Sequence, residues 1–433
     1  MTVKRHRRTP VSELNLAATS SSITVPGESP NVLLINAFER LPGENFRDQR
    51  YTFLYELLKQ RASVTWLSSD FHHWSHSRRS VEMIPEEDRQ NIKLIRTLGY
   101  QRNVSIRRFV SYMALSVATL WNILKLPRRP NVIVCMGPVE QMFLVVVYGR
   151  IRRVPVIIDV IDPWPDVYVQ AFPRRLQWLG RLILIPYFLM SFLTFALCDR
   201  GSAVSQTYLD WAMRRGRRND RGSFARYYLG ARNVDFEINE VVQSPDSLTC
   251  LFAGQFGFSY DIELILNAAK ALQDSGETRI RFVLCGSGDK QAEIVRAIKT
   301  LGNVELHGWL SAEALNTIGN SCQVGLCCYR ASATQSVPTK VFDYLSMGLY
   351  VINSLAGEAE TLLEVHGIGS SYQAGDVASF VQCLQRVRRS IELGRAGRAA
   401  IRRTFDEHFD SRVIYNRMVD EFVLPLALQH KQV

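Results

Sequence analysis

The strongest constraint on the fold is an alternation of short apolar runs with amphipathic helical patterns along most of the chain. Short runs of this kind suit strands that are buried on both faces of a parallel sheet. In the second half of the chain they fall at 248–254, 281–286, 304–307, 323–329 and 350–353. Strands that alternate regularly with helices predict a doubly wound parallel sheet.

The first half repeats the pattern, with apolar runs at 31–37, 64–67, 131–136 and 154–160. The chain has 433 residues, which is more than one hydrophobic core usually serves. We therefore predict an α/β protein with two doubly wound domains. The predicted segments are a disordered basic tail at 1–29, an N-terminal domain at 30–229, a linker at 230–247 and a C-terminal domain at 248–405.

The stretch SVPTKVFDYLSMG, residues 336–348, is typical of a short helix with a ligand at its start. Pro338 suits the first helical position, and Gly348 suits the left-handed position just past the end. Lys340 then lies in the first turn, where the helix dipole disfavours a cation. A bound phosphate would resolve that conflict, and Asp343 could accept hydrogen bonds from sugar hydroxyls. An ordinary surface helix with an exposed lysine fits these residues equally well.

Two glycines support the nucleotide interpretation, because each ends a predicted strand just before a helix. Gly254 and Gly286 would let a phosphate or a sugar approach the backbone closely. Gly286-Ser287-Gly288 lacks the third glycine of the dinucleotide-binding pattern. The two turns and the helix at 338–348 together predict nucleotide binding at one edge of the second sheet.

The first half offers residues for a second substrate. Asp162 directly follows the apolar run at 154–160, where ligands of open α/β sheets bind, although a lone aspartate is often only a turn former. The loop from Gly43 to Arg50 follows the first strand. Its Arg47 and Arg50 could meet an anion, or could simply be solvated.

The charge balance and the apolar segments bear on the partner. Lys and Arg number 52 against 41 Asp and Glu, a net charge of +11, which suits a membrane face, a nucleotide or nucleic acid. The basic, aromatic stretch at 99–130 continues into an apolar helix, which favours an anionic membrane surface over nucleic acid. The uncharged segment at 182–198 is near the lower limit for a membrane span and is interrupted by Pro186. We expect it to be a buried or interfacial helix.

Metal and disulfide chemistry are not favoured. The eight cysteines form no CxxC pair, and several lie in apolar runs, so we expect reduced core residues of a cytoplasmic protein. His72, His73 and His76 lack further ligands at a familiar spacing. We therefore predict no metal and no cofactor.

The order of these motifs resembles a known family. FAGQFG, FVLCGSGD and VPTKVFDYLSMG, with PGENFR and VIDPWPDVY in the first half, resemble the retaining GT-B glycosyltransferases with a Glu-x7-Glu motif, in their bacterial surface-polysaccharide branch. The resemblance covers roughly residues 30–425. It implies two Rossmann-like domains facing across a cleft, with the sugar nucleotide on the second and the acceptor on the first. It also implies a C-terminal helix at 406–433 that crosses back to the N-terminal domain.

The resemblance assigns residues and also shows departures. Asp343 takes the place of the acid that holds the ribose, and Gln335 stands where the first acid of the motif is expected. Many members carry Arg and Lys in the first phosphate loop, where this chain has Gln255 and Tyr260, so Lys340 and Arg330 are left to face the diphosphate. The residues expected at the donor are Gly254, Gln255, Phe256, Gly286, Gly288, Gln335, Thr339 and Asp343; those expected at the acceptor are Gly43, Arg47 and Arg50.

The resemblance implies transfer of a sugar, with retention, from a nucleoside-diphosphate sugar to a lipid-linked or other glycan acceptor in exopolysaccharide, capsule or O-antigen synthesis. Lys340 would stabilise the leaving diphosphate, and Asp162 would orient or deprotonate the acceptor hydroxyl. We expect the protein at the inner face of the cell membrane. A sugar-nucleotide epimerase of the same fold and a non-catalytic sugar-nucleotide-binding subunit are the alternatives.

Overall fold

The structure is a computed structural model of the chain. It describes residues 29–44, 49–73, 75–101, 105–170, 172–232, 247–392 and 397–430. Residues 1–28 of the predicted tail, Arg47 and most of the predicted linker lie outside these ranges.

The strands form two larger sheets and one small hairpin. The strands of the first half are β1 Asn31–Asn36, β2 Ser63–Ser69, β3 Phe71–His72, β4 Ser77–Arg78, β5 Ile92–Ile95, β6 Val132–Met136, β7 Val156–Val160, β8 Arg200–Ala203 and β9 Phe224–Arg226. Those of the second half are β10 Leu248–Ala253, β11 Ile280–Cys285, β12 Val304–His307, β13 Val324–Cys327, β14 Tyr350–Asn353 and β15 Gly369–Ser371.

The helices alternate with these strands. In the first half they are α1 Arg50–Leu58, α2 Ile106–Leu124, α3 Val139–Arg152, α4 Asp166–Gln170, α5 Gln177–Ile183, α6 Ile185–Leu197 and α7 Gln206–Gly216. In the second half they are α8 Ile262–Asp274, α9 Gln291–Ala297, α10 Ala312–Asn320, α11 Thr339–Ser346, α12 Glu358–His366, α13 Val377–Glu392, α14 Arg398–His408, α15 Ser411–Arg417 and α16 Leu424–Gln429, with a π-helical turn at Met418–Val423 between the last two.

The N-terminal sheet has the strand order β5-β2-β1-β6-β7-β8-β9, and all its pairings are parallel. Alternate side chains of β1 enter different cores because successive residues of a strand point to opposite faces. Val32 and Leu34 pack into one hydrophobic cluster, while Leu33 and Ile35 pack into another. Helices cover both faces, as the unbroken apolar runs predict.

The C-terminal sheet has the order β12-β11-β10-β13-β14-β15 and is also parallel throughout. Both sheets reverse their order beside the first strand of the domain, which brings strand ends and helix starts together at that point. This architecture confirms the prediction of two doubly wound α/β domains. The predicted domain boundaries stay a prediction, because most of the predicted linker is not described.

After α14 the chain returns to the N-terminal domain. Ala231 and residues 409–411 exchange backbone hydrogen bonds, with Ser411 N–H donating to the Ala231 carbonyl over 2.9 Å. Tyr415 and Met418 then pack into the same cluster as Tyr51 of α1. The last two helices are therefore part of the N-terminal core.

Arg50 is fully buried at the centre of this junction. Its Nε donates to Asp159 Oδ2 over 2.7 Å, its Nη2 to Asp159 Oδ1 over 2.8 Å and its Nη1 to the Tyr227 carbonyl over 2.8 Å. The guanidinium carbon also lies 5.3 Å from the centre of the Tyr415 ring. The prediction that Arg50 binds an acceptor anion is therefore wrong in this geometry, because its donors are committed to internal partners.

We expect Asp159→Ala to lower the free energy of unfolding by about 3–5 kcal/mol, because it leaves the Arg50 guanidinium buried without a counter-ion. Chemical unfolding followed by tryptophan fluorescence measures the change. Arg61→Ala is the control: its pair with Asp420 is exposed, and the loss should stay within about 1 kcal/mol. If the two substitutions lower the free energy of unfolding equally, the buried pair does not stabilise the protein more than an exposed one does.

Candidate functional site

The carboxyl ends of β10 and β11 meet at two glycines. Gly254 has φ +139° and Gly286 has φ +147°, a region that residues with a side chain avoid. A β-carbon on Gly286 would collide with the Gly254 carbonyl oxygen, so the two loops touch through their backbones. This close approach is the physical reason for the two predicted glycine turns.

Helix α11 begins beside these loops. Pro338 is its N-cap rather than its first residue, one position earlier than predicted, and Gly348 takes the left-handed conformation with φ +70° just past its end. Val341, Tyr344 and Leu345 are buried, as their spacing predicts. The packed side of the helix is thereby fixed, and its first turn faces the glycine loops.

Lys340 reaches back from α11 to the first glycine loop. Its Nζ donates to the Ala253 carbonyl and lies 4.5 Å from the Phe252 ring centre and 4.6 Å from that of Tyr260. Burial lowers the pKa of this ammonium to about 8, opposed by nearby Asp343. A β-carbon on Gly254 would collide with Nζ. Lys340 thus stands over Tyr260, in the loop where the sequence resemblance led us to expect basic residues.

The other residues predicted at the donor divide by exposure. Gln255, Gln335 and Thr339 are exposed, and Asp343 is half-buried on α11. Gly288 lies against the backbone of Phe256, whose side chain is fully buried in the core of the C-terminal domain. The Phe256 side chain is therefore not available to a ligand, and only its backbone borders the loops.

A second cationic group lies on the other side of the first loop. Arg330 Nη2 donates to Glu263 Oε2 over 2.7 Å, and its guanidinium carbon lies 5.6 Å from the exposed Phe258 ring. Lys290, after the second loop, donates to the other oxygen of Glu263. Arg330 is the predicted partner of Lys340, and in this structure its charge is matched by Glu263.

A cavity of about 480 Å³ lies in the cleft between the domains. Its N-terminal wall includes Asp162, Trp164 and Arg108, and Thr339 at the start of α11 opens onto it from the other domain. The predicted catalytic aspartate and the predicted donor helix therefore border one space. Arg50 and Asp159 form part of its floor.

Asp162 reaches this space from the end of β7. The surrounding walls raise the pKa of its carboxyl, while the Trp164 side chain and the charge of Arg108 oppose the rise. Arg108 is held against three rings, with its guanidinium carbon 5.0 Å from the centre of Tyr112, 5.7 Å from Trp164 and 5.8 Å from Tyr100. A carboxyl with a raised pKa is a better proton acceptor than a free one.

Two other predictions for the acceptor loop have different outcomes. Gly43 has φ +86° and packs against the Met83 carbonyl, which is a structural reason for glycine there. Arg47 lies outside the described residues.

The histidines at 72, 73 and 76 are predicted not to bind a metal. His73 bonds the Tyr100 hydroxyl over 2.5 Å and lines the cavity. Within the described ranges, no three His, Cys, Asp or Glu side chains are grouped as metal ligands.

Glu39 is a site residue that the sequence analysis did not select. It lies just after β1, accepts a hydrogen bond from the Tyr51 backbone over 2.5 Å and borders the cavity. Burial raises the pKa of this carboxyl to about 8, a rise that the charge of Arg50 opposes. Its position after a buried parallel strand is the signal that selected Asp162, and it could have selected Glu39 as well.

The chain is similar to known glycosyltransferases in part of its sequence and in its fold. Residues 247–390 match the family described as Glycosyl transferases group 1. HepE from Anabaena, solved in complex with UDP-glucose, superposes with a TM-score of 0.60 at 11% identity, over 90% of this chain and 98% of that one. Sucrose-phosphate synthase from Thermosynechococcus elongatus gives 0.63 at 14% identity, over 92% and 100%.

The chain has the GT-B fold. WaaG, described as a glycosyltransferase involved in lipopolysaccharide biosynthesis, is similar to it over nearly its whole length: the TM-score is 0.61 at 12% identity, with 90% of this chain and 99% of that chain covered. The residues that match the family, 247–390, lie in the C-terminal domain, which carries both glycine loops and α11. No protein among the curated sequences matches the chain.

We expect the stability of the protein to fall as the pH rises from about 4.5 to about 8, more steeply in the wild type than in Glu39→Gln. Folding raises the pKa of Glu39 because the buried carboxyl is held in its protonated form. The stability that this provides is complete below the pKa of Glu39 in the unfolded chain and is lost as the pH rises through its pKa in the folded protein. Urea unfolding at a series of pH values measures it. The exposed Glu87→Gln is the control, and a slope unchanged by Glu39→Gln would contradict the assignment.

Proposed function

We propose that the protein is a retaining glycosyltransferase that moves a sugar from a nucleoside-diphosphate sugar to a lipid-linked glycan acceptor. The observation that carries the proposal is the ammonium of Lys340 at the junction of the two glycine loops, beside the start of a helix that opens onto the interdomain cavity. The match of residues 247–390 to group 1 glycosyltransferases supports it.

The donor diphosphate would lie between the glycine loops and the first turn of α11. Helix starts attract phosphate through backbone N–H groups and the helix dipole. The partly desolvated Lys340 would gain an anionic partner there, and its interaction would strengthen as charge builds on the leaving diphosphate. Asp343, one turn later, would accept hydrogen bonds from the ribose. We keep the expectation that no metal or further cofactor takes part.

The acceptor would enter from the N-terminal wall of the cavity. Asp162 would orient the attacking hydroxyl and accept its proton, helped by the raised pKa of its carboxyl. Arg108 faces the same space and would balance the charge of Asp162 or of an acceptor phosphate. We assign the product to exopolysaccharide, capsule or O-antigen synthesis on the strength of the sequence resemblance alone.

Lys340→Ala should weaken UDP binding by at least about tenfold and abolish transfer, because a charge-assisted contact to the diphosphate is lost. Isothermal titration with UDP measures the first effect, and a panel of UDP-sugars with product analysis measures the second. UDP affinity of the wild type should also fall as the pH rises through about 8, where Lys340 loses its proton.

Lys299→Ala, an exposed lysine of the same domain, is the matched control and should bind UDP normally. Full turnover by a folded Lys340→Ala protein would rule out the mechanism. Release of an epimerised sugar nucleotide in place of a glycoside would favour the epimerase alternative.

We further propose that the enzyme works at an anionic membrane surface. One side of α2 is an exposed apolar stripe, and α5 and α6 expose more large apolar side chains. Phe109 of α2 and Tyr187 of α6 are 4.9 Å apart between ring centres, so the two helices adjoin. The stripe consists of Ile106, Val110, Met113, Val117, Trp121 and Leu124; the neighbouring side chains are Trp178, Leu182, Ile183, Ile185 and Leu189.

Basic residues border this apolar face. Arg107, Arg128 and Arg181 are exposed on or beside its helices, and the chain carries a net charge of +11. Apolar side chains flanked by cations are the composition that lies in a headgroup plane. No single helix of the described residues is long and apolar enough to cross a membrane; the segments 174–183 and 185–197 meet that test only as a pair bent by 66°.

Replacing both Val117 and Trp121 by serine should reduce binding to phosphatidylglycerol vesicles by at least about tenfold, since each side chain would lose roughly 1.5–3 kcal/mol of burial in the bilayer interface. Co-sedimentation measures binding, and phosphatidylcholine vesicles or added salt should weaken it in the wild type. Val365→Ser, a 75% exposed valine of the C-terminal domain, is the control. Equal binding by all three proteins would refute a membrane role for the stripe.

A further inference from the structure

The carboxylate of Glu358, in the C-terminal domain, is inserted into the first turn of a helix of the N-terminal domain. Its Oε1 accepts from the Gln206 N–H over 2.7 Å, and its Oε2 accepts from the Thr207 N–H and from the Thr207 hydroxyl, each over 2.7 Å. Ser205, the N-cap of α7, already accepts from the Tyr208 N–H. The start of α7 is thus capped partly by its own domain and partly by the other one.

The same carboxylate also holds the segment from Arg330 to Pro338 that leads into α11, called the donor loop below. The Ser336 hydroxyl donates to Glu358 Oε2 over 3.0 Å, and the Tyr228 hydroxyl donates to Oε1 over 3.1 Å. Ser336 lies next to Gln335 and two residues before the N-cap of α11. One side chain therefore joins the segment that leads into Lys340 to the helix of the facing domain.

The contact is electrostatically strong. The Glu358 side chain is only 11% exposed, and its hydrogen bonds to Thr207, Gln206 and Ser336 together lower the pKa of its carboxyl, although burial by itself acts to raise it. A carboxylate at a helix start gains from both the N–H groups and the dipole. These bonds form only at one separation of the domains, because the donors and the acceptor belong to different lobes.

From α7 the contacts continue to the predicted base. Trp211 Nε1 donates to Asp166 over 3.0 Å, and Arg215 pairs with the same carboxylate, which fixes the end of the loop that starts at Asp162. Tyr208 of α7 interacts both with Asp162 and with the Ser336 backbone. Burial and the charge of Asp162 raise the pKa of its hydroxyl to about 12, and a hydrogen bond with the Ser336 backbone opposes the rise.

We propose that Glu358 is a positioning residue that sets the closed distance between the donor loop of the C-terminal domain and Asp162 of the N-terminal domain. It would not touch either substrate. Misplacing reacting groups by about 1 Å can cost on the order of 100-fold in rate, so a bond that fixes this separation has a direct catalytic consequence. The inference rests on the proposed glycosyl transfer for its catalytic part, but its geometric part does not.

The test compares Glu358→Gln with Glu360→Gln. Glu360 lies on the same helix, and within the described part of the chain its Oε2 accepts from the Gly357 N–H of its own domain. Spin labels at Lys93→Cys and Lys299→Cys, one exposed site in each domain, report the distance between the domains; all eight native cysteines are buried. Glu358→Gln should broaden the distance distribution, and Glu360→Gln should leave it as in the labelled parent.

The kinetic arm separates positioning from folding. Glu358→Gln should lower kcat by at least about tenfold while KM for the sugar nucleotide and the affinity for UDP change less than about twofold, because the donor site itself is intact. Thr207→Val removes the hydroxyl donor on the other side and leaves the backbone donors of Gln206 and Thr207, so it should reproduce both effects to a smaller degree, and the double variant should add little to Glu358→Gln. Thr207→Val also serves if Glu358→Gln does not fold.

An unchanged distance distribution in both Glu358→Gln and Thr207→Val would overturn the proposal, as would equal effects of Glu358→Gln and Glu360→Gln. Failure of the wild type to bind any of UDP, GDP, ADP, CDP and dTDP would instead refute the proposed function, and the distance comparison would still decide whether Glu358 holds the domains.

Discussion

The structure of the candidate site depends on one cation that is placed where little water reaches it. Lys340 lies between two aromatic rings and a backbone carbonyl, and its lowered pKa records the cost of that position. The side chain fits only because Gly254 has no β-carbon, and Gly254 in turn touches Gly286. The two glycine loops and α11 thus pack around the Lys340 ammonium, a partly desolvated cation that an anion would stabilise.

This arrangement bears on the basic residues that the sequence resemblance led us to expect in the first loop, where the chain has Gln255 and Tyr260. The Tyr260 ring lies against the ammonium of Lys340, which comes from α11. A cation therefore lies beside this loop, although α11 rather than the loop itself supplies it. A departure in sequence at a binding loop therefore need not be a departure in the chemistry of the site.

Local patterns were enough to predict much of this fold. The strands, the alternation with helices, the glycine turns and the buried side of α11 follow from periodicity and turn chemistry, which depend on near neighbours in sequence. The polar cluster around Arg50 does not. Its partner Asp159 is 109 residues away, so an arginine in a loop after a strand appeared free to bind a ligand when it is fully committed inside the protein.

The same limit applies to Glu39 and Glu358. Glu39 is distinguished by its burial beside Arg50 and Asp159, and Glu358 by a helix start more than a hundred residues earlier in the chain. Neither position carries a motif, and each is defined by elements that meet only in the folded protein. Long-range polar partners, rather than secondary structure, are what a single sequence leaves open.

The titration of Lys340 tests most directly the proposal that its ammonium binds the diphosphate of the donor. NMR of 13C-labelled lysine side chains, with Lys340→Arg to assign the signal, gives the pKa of Lys340 with and without UDP. The account predicts a pKa near 8 in the free protein, which rises when UDP binds because the phosphates stabilise the ammonium. A pKa that is unchanged at saturating UDP would contradict the account.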